Sequence, residues 1–260
     1  MLPLFRRVPA QHPILNKPDE PRRAAAAAGA DRPFVFVHVS KTGGETLLTL
    51  LGLPKDHRSA WEKKDVIAWR TWEDAWKFAV VRNPWDRLVS WYFHLRRHLL
   101  PRATMEKHVG TLGKKAPCYV LLRNKGWKMT PDEHRIVAEK LPFRRWARTV
   151  MHQAYLYDTP RWGPCGTQHE MMHAPDGSLL VDDVYKFEDG YSERVLPDVL
   201  ERLGRRDLIG GIQITNNSGP PRPHYSRFYE DDEELIAWVA RYFAPDVEAF
   251  GYTFERNPRP

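Results

Sequence analysis

Two short stretches of the chain carry residues able to do chemistry. In the first, the apolar run Phe34-Val35-Phe36-Val37-His38-Val39 ends at Ser40-Lys41-Thr42-Gly43-Gly44-Glu45-Thr46, and Leu47, Leu48, Leu50 and Leu51 follow at a spacing that suits the buried face of a helix. A buried strand, a glycine turn and a helix start bring successive backbone N–H groups together on an anion, aided by the helix dipole. Lys41 adds a point charge at the mouth of that nest. The same pattern also describes an ordinary strand–turn–helix with an incidental lysine. The lysine precedes the glycines, the reverse of the Gly-Lys-Ser/Thr order of nucleotide-triphosphate loops, which argues against an ordinary ATP or GTP site.

The second stretch is Lys77-Phe78-Ala79-Val80-Val81-Arg82-Asn83-Pro84-Trp85-Asp86-Arg87-Leu88-Val89-Ser90, again an apolar strand running into a helix. Asn83 suits the N-cap, Pro84 the first helical position, and Asp86 the first turn, where negative charge is favoured. Arg82 falls at the carboxyl end of the strand. Ser90 falls about two turns into the helix, where its hydroxyl can meet a second phosphate. In open α/β sheets ligands bind at the carboxyl ends of strands, so both stretches are predicted to present their polar groups at one edge.

His38 to Gly44 resembles the 5′-phosphosulfate loop, H-I-P-K-T-G-G, of the sulfotransferases that use 3′-phosphoadenosine 5′-phosphosulfate (PAPS), and Phe78 to Ser90 resembles their 3′-phosphate motif. The likeness is to the bacterial and Golgi carbohydrate enzymes. It extends in patches over about residues 33 to 255: Tyr185-Lys186-Phe187-Glu188 is similar to the family's R-F-E-x-L strand end. Asn216 to Tyr225 is similar to the loop that closes over the nucleotide, and Asp246 to Phe254 to the terminal D-x-x-x-F-G-Y-x-F signature. Ser40 departs from the family's proline, and Glu45 stands where a small hydroxyl residue is common.

The resemblance implies a P-loop NTPase-like three-layer α/β fold, a central parallel sheet flanked by helices, and sulfuryl transfer from PAPS to a hydroxyl acceptor, a glycan or a natural product, leaving PAP. Lys41 would balance charge on the departing oxygen, and Thr42, Gly43, Gly44, Glu45 and Thr46 would line the phosphosulfate, Glu45 through its backbone N–H alone. Arg82 and Ser90 would hold the 3′-phosphate, with Arg222 a further phosphate contact. His57 matches the histidine between the two motifs and would be the base. Read without the family it is a surface or structural histidine, and Glu45 and Asp56 are rival bases. Sulfuryl transfer of this kind needs no metal. Two other readings of the chain are a phosphotransferase on the same architecture, which lacks an evident strand ending in a magnesium-binding Asp, and a non-catalytic polyanion-binding protein.

The composition agrees. The chain has 260 residues, 42% of them apolar, enough for one substantial core. Its net charge of +7 suits a polyanionic ligand, and no nucleic-acid module is visible. No run of about 18 apolar residues suggests a membrane span, and Arg6 and Arg7 are not followed by the apolar segment of a signal peptide. Cys118 and Cys165, two thiols far apart in sequence, are expected to be free in a reducing, cytoplasmic setting.

Residues 1–30, with prolines, charges and the alanines 24–28, read as a flexible tail or linker in which the alanines could extend a short helix, and 31–260 as the domain. Within it, 61–76 is predicted as one helix, 181–187 as a strand, and 191–203 as a helix ending at Gly204. Thr130 is a predicted N-cap, residues 230–234 open a final helix, and 100–180 is the segment expected to select the acceptor. His169-Glu170-Met171-Met172-His173 matches H-E-x-x-H, which binds zinc only where a helix sets both histidines on one face. Pro164, Gly166, Pro175 and Gly177 crowd that window. Purified protein is therefore expected to carry no stoichiometric zinc, and chelators to leave transfer intact; metal analysis that finds zinc lost in His169→Ala would overturn this.

Overall fold

A computed structural model describes residues 18–97, 138–156, 163–212, 222–230 and 232–256. Three parallel strands form its sheet: β1 (Phe34–Val37), β2 (Trp76–Val81) and β3 (Asp183–Lys186), in the order β1-β2-β3. Phe34 pairs with Trp76 and Val37 with Ala79; Phe78 pairs with Asp183 and Val81 with Lys186. Every residue of β1 and β2 is buried, as expected of parallel strands covered on both faces.

Alternation along the strands divides the core in two. Val35, Val37, Ala79 and Val81 face one cluster, filled by α5 (Pro84–Arg97), α6 (Phe143–Leu156) and α9 (Glu233–Tyr242) through Leu88, Trp146, Met151 and Val239. Phe34, Phe36, Trp76, Phe78 and Val80 face the other. There they meet α1 (Glu20–Ala28), α2 (Gly44–Leu50) and α8 (Leu196–Arg202). Aromatic rings line this second face: Trp76 and Phe36 stack on Phe78 with centroids 4.3 and 5.1 Å apart. Helices thus cover both faces of a parallel sheet, the three-layer α/β arrangement expected.

Several elements differ from expectation. The predicted tail ends in α1, which buries Glu20, Pro21, Ala25 and Ala28, so residues 20–28 belong to the folded body; apolar alanines on one face make that packing possible. The helix predicted over 61–76 is two, α3 (Ala60–Val66) and α4 (Trp69–Asp74), because Ile67 turns extended to bury itself. α3 opens on a capping box between Ser59 and Glu62. Trp72 and Trp76 are core, whereas Trp69 is 70% exposed. The strand predicted over 181–187 is shorter, and the helix over 191–203 begins as a π-turn, Tyr191–Val195, before α8. Gly204 follows at φ +73, where glycine avoids the left-handed penalty. The final helix starts at Glu233 with Asp232 as its cap, and α10 (Ala244–Phe250) comes after it. The Thr130 cap, Cys118, Asn216 and most of the acceptor-selecting segment lie outside the described residues. Its described parts, residues 138–156 with α6 and residues 163–180, both contribute to the core.

Among the described residues no helix is long and apolar enough to cross a membrane. Asp246, fully buried on α10, accepts from the backbone N–H groups of Gln168 and His169 at 3.0 and 2.8 Å, closing the start of α7 (Gln168–Met172). Asp246→Ala orphans both donors and is expected to cost about 2 to 4 kcal/mol, read as a lower urea midpoint at unchanged slope.

Candidate active site

Parallel pairing sets the carboxyl ends of all three strands at one edge, and the polar residues gather there. After β1 the chain turns through Lys41, a non-glycine residue at φ +69, and Gly43 at φ +89. A side chain at Gly43 would come within 2.5 Å of the Tyr191 ring, whose hydroxyl donates to the Gly43 carbonyl at 2.6 Å. One at Gly44 would enter the His38 ring. The two glycines are therefore required by close approach. The Thr42 hydroxyl donates to the Val39 carbonyl at 2.8 Å and shapes the loop from within. The Lys41 ammonium lies 5.9 Å over the Trp91 ring, one residue beyond Ser90 on α5, within cation–π range.

Arg87 holds this loop to the second motif. It is 1% exposed, and its guanidinium donates to the Ser40 carbonyl at 3.1 Å, the Gly166 carbonyl at 2.8 Å and the Ser40 hydroxyl at 3.4 Å. Ser40, where the family has proline, thus offers an acceptor that proline lacks. Burial pushes the Arg87 pKa down, and the buried charge is tolerated because acceptors surround it.

Arg82 follows β2. Its backbone is clamped by the Gln168 amide, which accepts from its N–H at 2.8 Å and donates to its carbonyl at 2.7 Å. Its guanidinium donates to Asp86 at 2.8 Å and to the Lys41 carbonyl at 3.0 Å, and lies 4.4 Å from the Phe187 ring centre. Arg222 reaches the same carboxylate at 2.5 Å. Burial raises the Asp86 carboxyl, but Arg82 and Arg222 outweigh it and hold it below the usual range. Burial lowers the Arg222 pKa, and its Nη1 is buried with no acceptor among the described residues. Asn83 N–H donates to Glu188 at 2.7 Å, whose other oxygen takes the Tyr252 hydroxyl at 3.1 Å.

The segment carrying His57 returns beside the β1 loop. His57 Nδ1 lies 3.2 Å from the His38 carbonyl, and the two rings stack with centroids 4.4 Å apart. A carbonyl only accepts, so Nδ1 carries the proton and Nε2 the lone pair. Burial lowers the His57 pKa. The two rival carboxylates are engaged: Glu45 pairs with Lys55, and Asp56 with Arg58 and Lys63.

The structure therefore brings Lys41, Thr42, Gly43, Gly44, Arg82 and Arg222 to one edge, with Glu45 and Thr46 opening α2 and His57 against His38. Ser90 is 2% exposed further along α5, and no hydrogen bond among the described residues joins it to Arg82 or Lys41. Sequence reasoning missed Asp86 as the shared anchor, Arg87 as the clasp and Gln168 as the clamp. Asp86 and Arg87 stand inside a motif that signals them; Gln168 has no local signal. Of the H-E-x-x-H match, His169 to Met172 lie on a helix of five residues and His173 follows it in extended backbone, and the rings of His169 and His173 stack face to face at 3.6 Å. Among the described residues no three His, Cys, Asp or Glu side chains converge as a metal site would require.

The model of the sulfotransferase family matches residues 30–253. The chain belongs to that family. With membership come sulfuryl transfer, a hydroxyl-bearing acceptor and the P-loop-like character of the fold. No curated protein and no solved structure matches the chain.

Proposed function

We propose that this sulfotransferase takes the sulfuryl group from PAPS and delivers it to a hydroxyl of a carbohydrate or another small molecule, releasing PAP. The observation that carries the donor assignment is the convergence of Arg82 and Arg222 on the single carboxylate of Asp86, with Arg222 Nη1 buried and lacking an acceptor among the described residues. Two cations on one anion leave a net positive charge at the strand edge. A buried donor without a partner costs about 1 to 3 kcal/mol until an anion meets it. The close-packed glycines at 43 and 44 supply the second requirement, backbone that a bulky anion can approach. The residues present thus fit a nucleotide with phosphates at both its 3′ and 5′ ends.

When bound, PAPS supplies an activated sulfuryl group and a phosphate leaving oxygen. Positioning and charge balance then fall to the chain, as in phosphoryl transfer. Backbone N–H groups of Gly43, Gly44 and Glu45 hold the 5′ end, while Thr46 N–H, on the Gly43 carbonyl at 2.9 Å, and Thr42 keep their loop in shape. Arg222, Arg82 and Ser90 hold the 3′-phosphate; a guanidinium has five N–H donors, so Arg82 can keep Asp86 and add an anion. The acceptor hydroxyl gives its proton to Nε2 of His57 as its oxygen bonds to sulfur. The bridging bond breaks on the opposite side, and the Lys41 ammonium balances the charge on the departing oxygen. Asp56 and Glu45, already paired with cations, are weaker bases than the imidazole. A phosphotransferase would need a carboxylate free to hold magnesium, and Asp86 and Glu188 at this edge are both taken by protein donors. The cytoplasmic setting belongs to the same reading, supported by the buried free thiol of Cys165. Residues 31–260 with α1 form the catalytic domain, and 100–180 chooses the acceptor.

Calorimetry without magnesium is expected to show PAP binding far tighter than AMP or ATP. Arg222→Ala should weaken PAP by about 2 kcal/mol, one charge-assisted contact; equal affinity for ATP and PAP would sink the assignment. Transfer of labelled sulfate from PAPS to a panel of sugars would identify the acceptor. On it His57→Ala should lose about 10² to 10⁴ in turnover and keep its PAP affinity. Because burial lowers the His57 pKa, its basic form persists below about pH 6.5. Turnover should be flat above that pH and fall as pH drops through the lowered value.

A further inference from the structure

The two residues that flank His57 are held in a buried ion cluster. Arg58 Nη2 lies 2.7 Å from Glu20 and 2.9 Å from Asp56, and Lys63 pairs with Asp56 and, at 3.4 Å, with Glu20. The four side chains are 4 to 10% exposed. Two anions and two cations leave the cluster neutral, the condition under which buried charges are tolerated. Glu20 reaches it from α1, Lys63 from α3, and Asp56 and Arg58 from the segment between α2 and α3. The backbone of His57 is thus clamped on both sides while its ring is fixed by the His38 carbonyl and ring. Glu20 precedes residue 30, where the match to the family begins. The clamp therefore relies on a group outside the region shared with the family.

We propose that Glu20 is a positioning residue for His57, tethering the Asp56–Arg58 segment to α1 so that the imidazole keeps its register on the His38 carbonyl. The inference rests on His57 as the base. The groups acting on the imidazole are His38 at the end of β1, Lys55 and Asp56 on its own segment, and Lys63 on α3. Glu20 stands behind Arg58 and Lys63, and Glu45 on α2 neutralises Lys55. Removing the Glu20 charge takes one of the two carboxylates away from Arg58 and Lys63. The uncompensated positive charge then disfavours imidazolium.

The test uses the full chain with Glu20→Gln, and a charge-balanced double variant, Glu20→Gln with Lys63→Met. Three quantities are read: the His57 ring titration by NMR, assigned by its loss in His57→Gln; PAP affinity by calorimetry; and turnover, as inorganic sulfate released from PAPS to water. Glu20→Gln is expected to move the His57 midpoint to lower pH, to leave PAP affinity unchanged, and to lower turnover about 10- to 100-fold, the scale of a small misplacement. The double variant restores neutrality and should bring the midpoint back up while turnover stays low, since the tether is still missing. It also carries the test should the single variant fail to fold. An unchanged midpoint and turnover in Glu20→Gln, or full turnover in the double variant, would overturn the proposal. Full turnover in His57→Gln would instead sink the base assignment, while the ring titration still reports whether Glu20 governs the imidazole.

Discussion

The chain has to stop being a strand at Arg82 and Asn83, deep inside the molecule, and much of the tertiary structure answers that demand. Buried backbone N–H and C=O groups at the end of a central strand have lost their ladder partners and must find others. Gln168 supplies both for Arg82, and Glu188 supplies an acceptor for Asn83. Asn83 in turn caps α5 by accepting from Trp85 N–H and donates to the Thr253 carbonyl. Asp246 holds the start of α7 that presents Gln168, and Tyr252 braces Glu188. The terminal segment is thereby part of the same edge as the first strand. This explains why residues about 170 positions apart in sequence share one hydrogen-bond network.

Charge follows the same economy. Arginine serves at each crossing of this edge because its planar fork reaches several fixed acceptors at once, which a lysine ammonium does less well. Arg87 spends its fork on Ser40, Gly163 and Gly166, so a fully buried cation works as a structural clasp. Arg82 and Arg222 share Asp86, whose carboxylate keeps two like charges close. On the other side of the β1 loop the cluster of Glu20, Asp56, Arg58 and Lys63 is neutral in itself. Positive charge in excess is therefore left where the glycine loop and the arginines meet.

Local elements were legible where local chemistry decides them. The glycines at 43 and 44, the Asn83-Pro84 helix start and the glycine stop at 204 all appear where their residue types require. The apolar runs of β1 and β2 announced a sheet covered on both faces. Expectation failed where burial overrode local preference, as where Ile67 broke a predicted helix to reach the core; the alanines of α1 formed the short helix their propensity allows, and only packing turned it from tail into body.

The amino-acid sequence by itself determined the family, the order of the two motifs and the kinds of group available to them, because each motif is contiguous and its geometry is dictated within a few residues. Only the tertiary structure decided which of those groups meet. Asp86 between two arginines, Gln168 on the Arg82 backbone, His57 against the His38 carbonyl and Glu20 beneath it are contacts between residues 4 to 136 positions apart. Apart from the Arg82–Asp86 pair, which lies within one motif, nothing in either partner's neighbourhood specifies such a contact. It is set by where parallel strands end and by the requirement that every charge brought to that edge find an opposite charge or a hydrogen-bond partner.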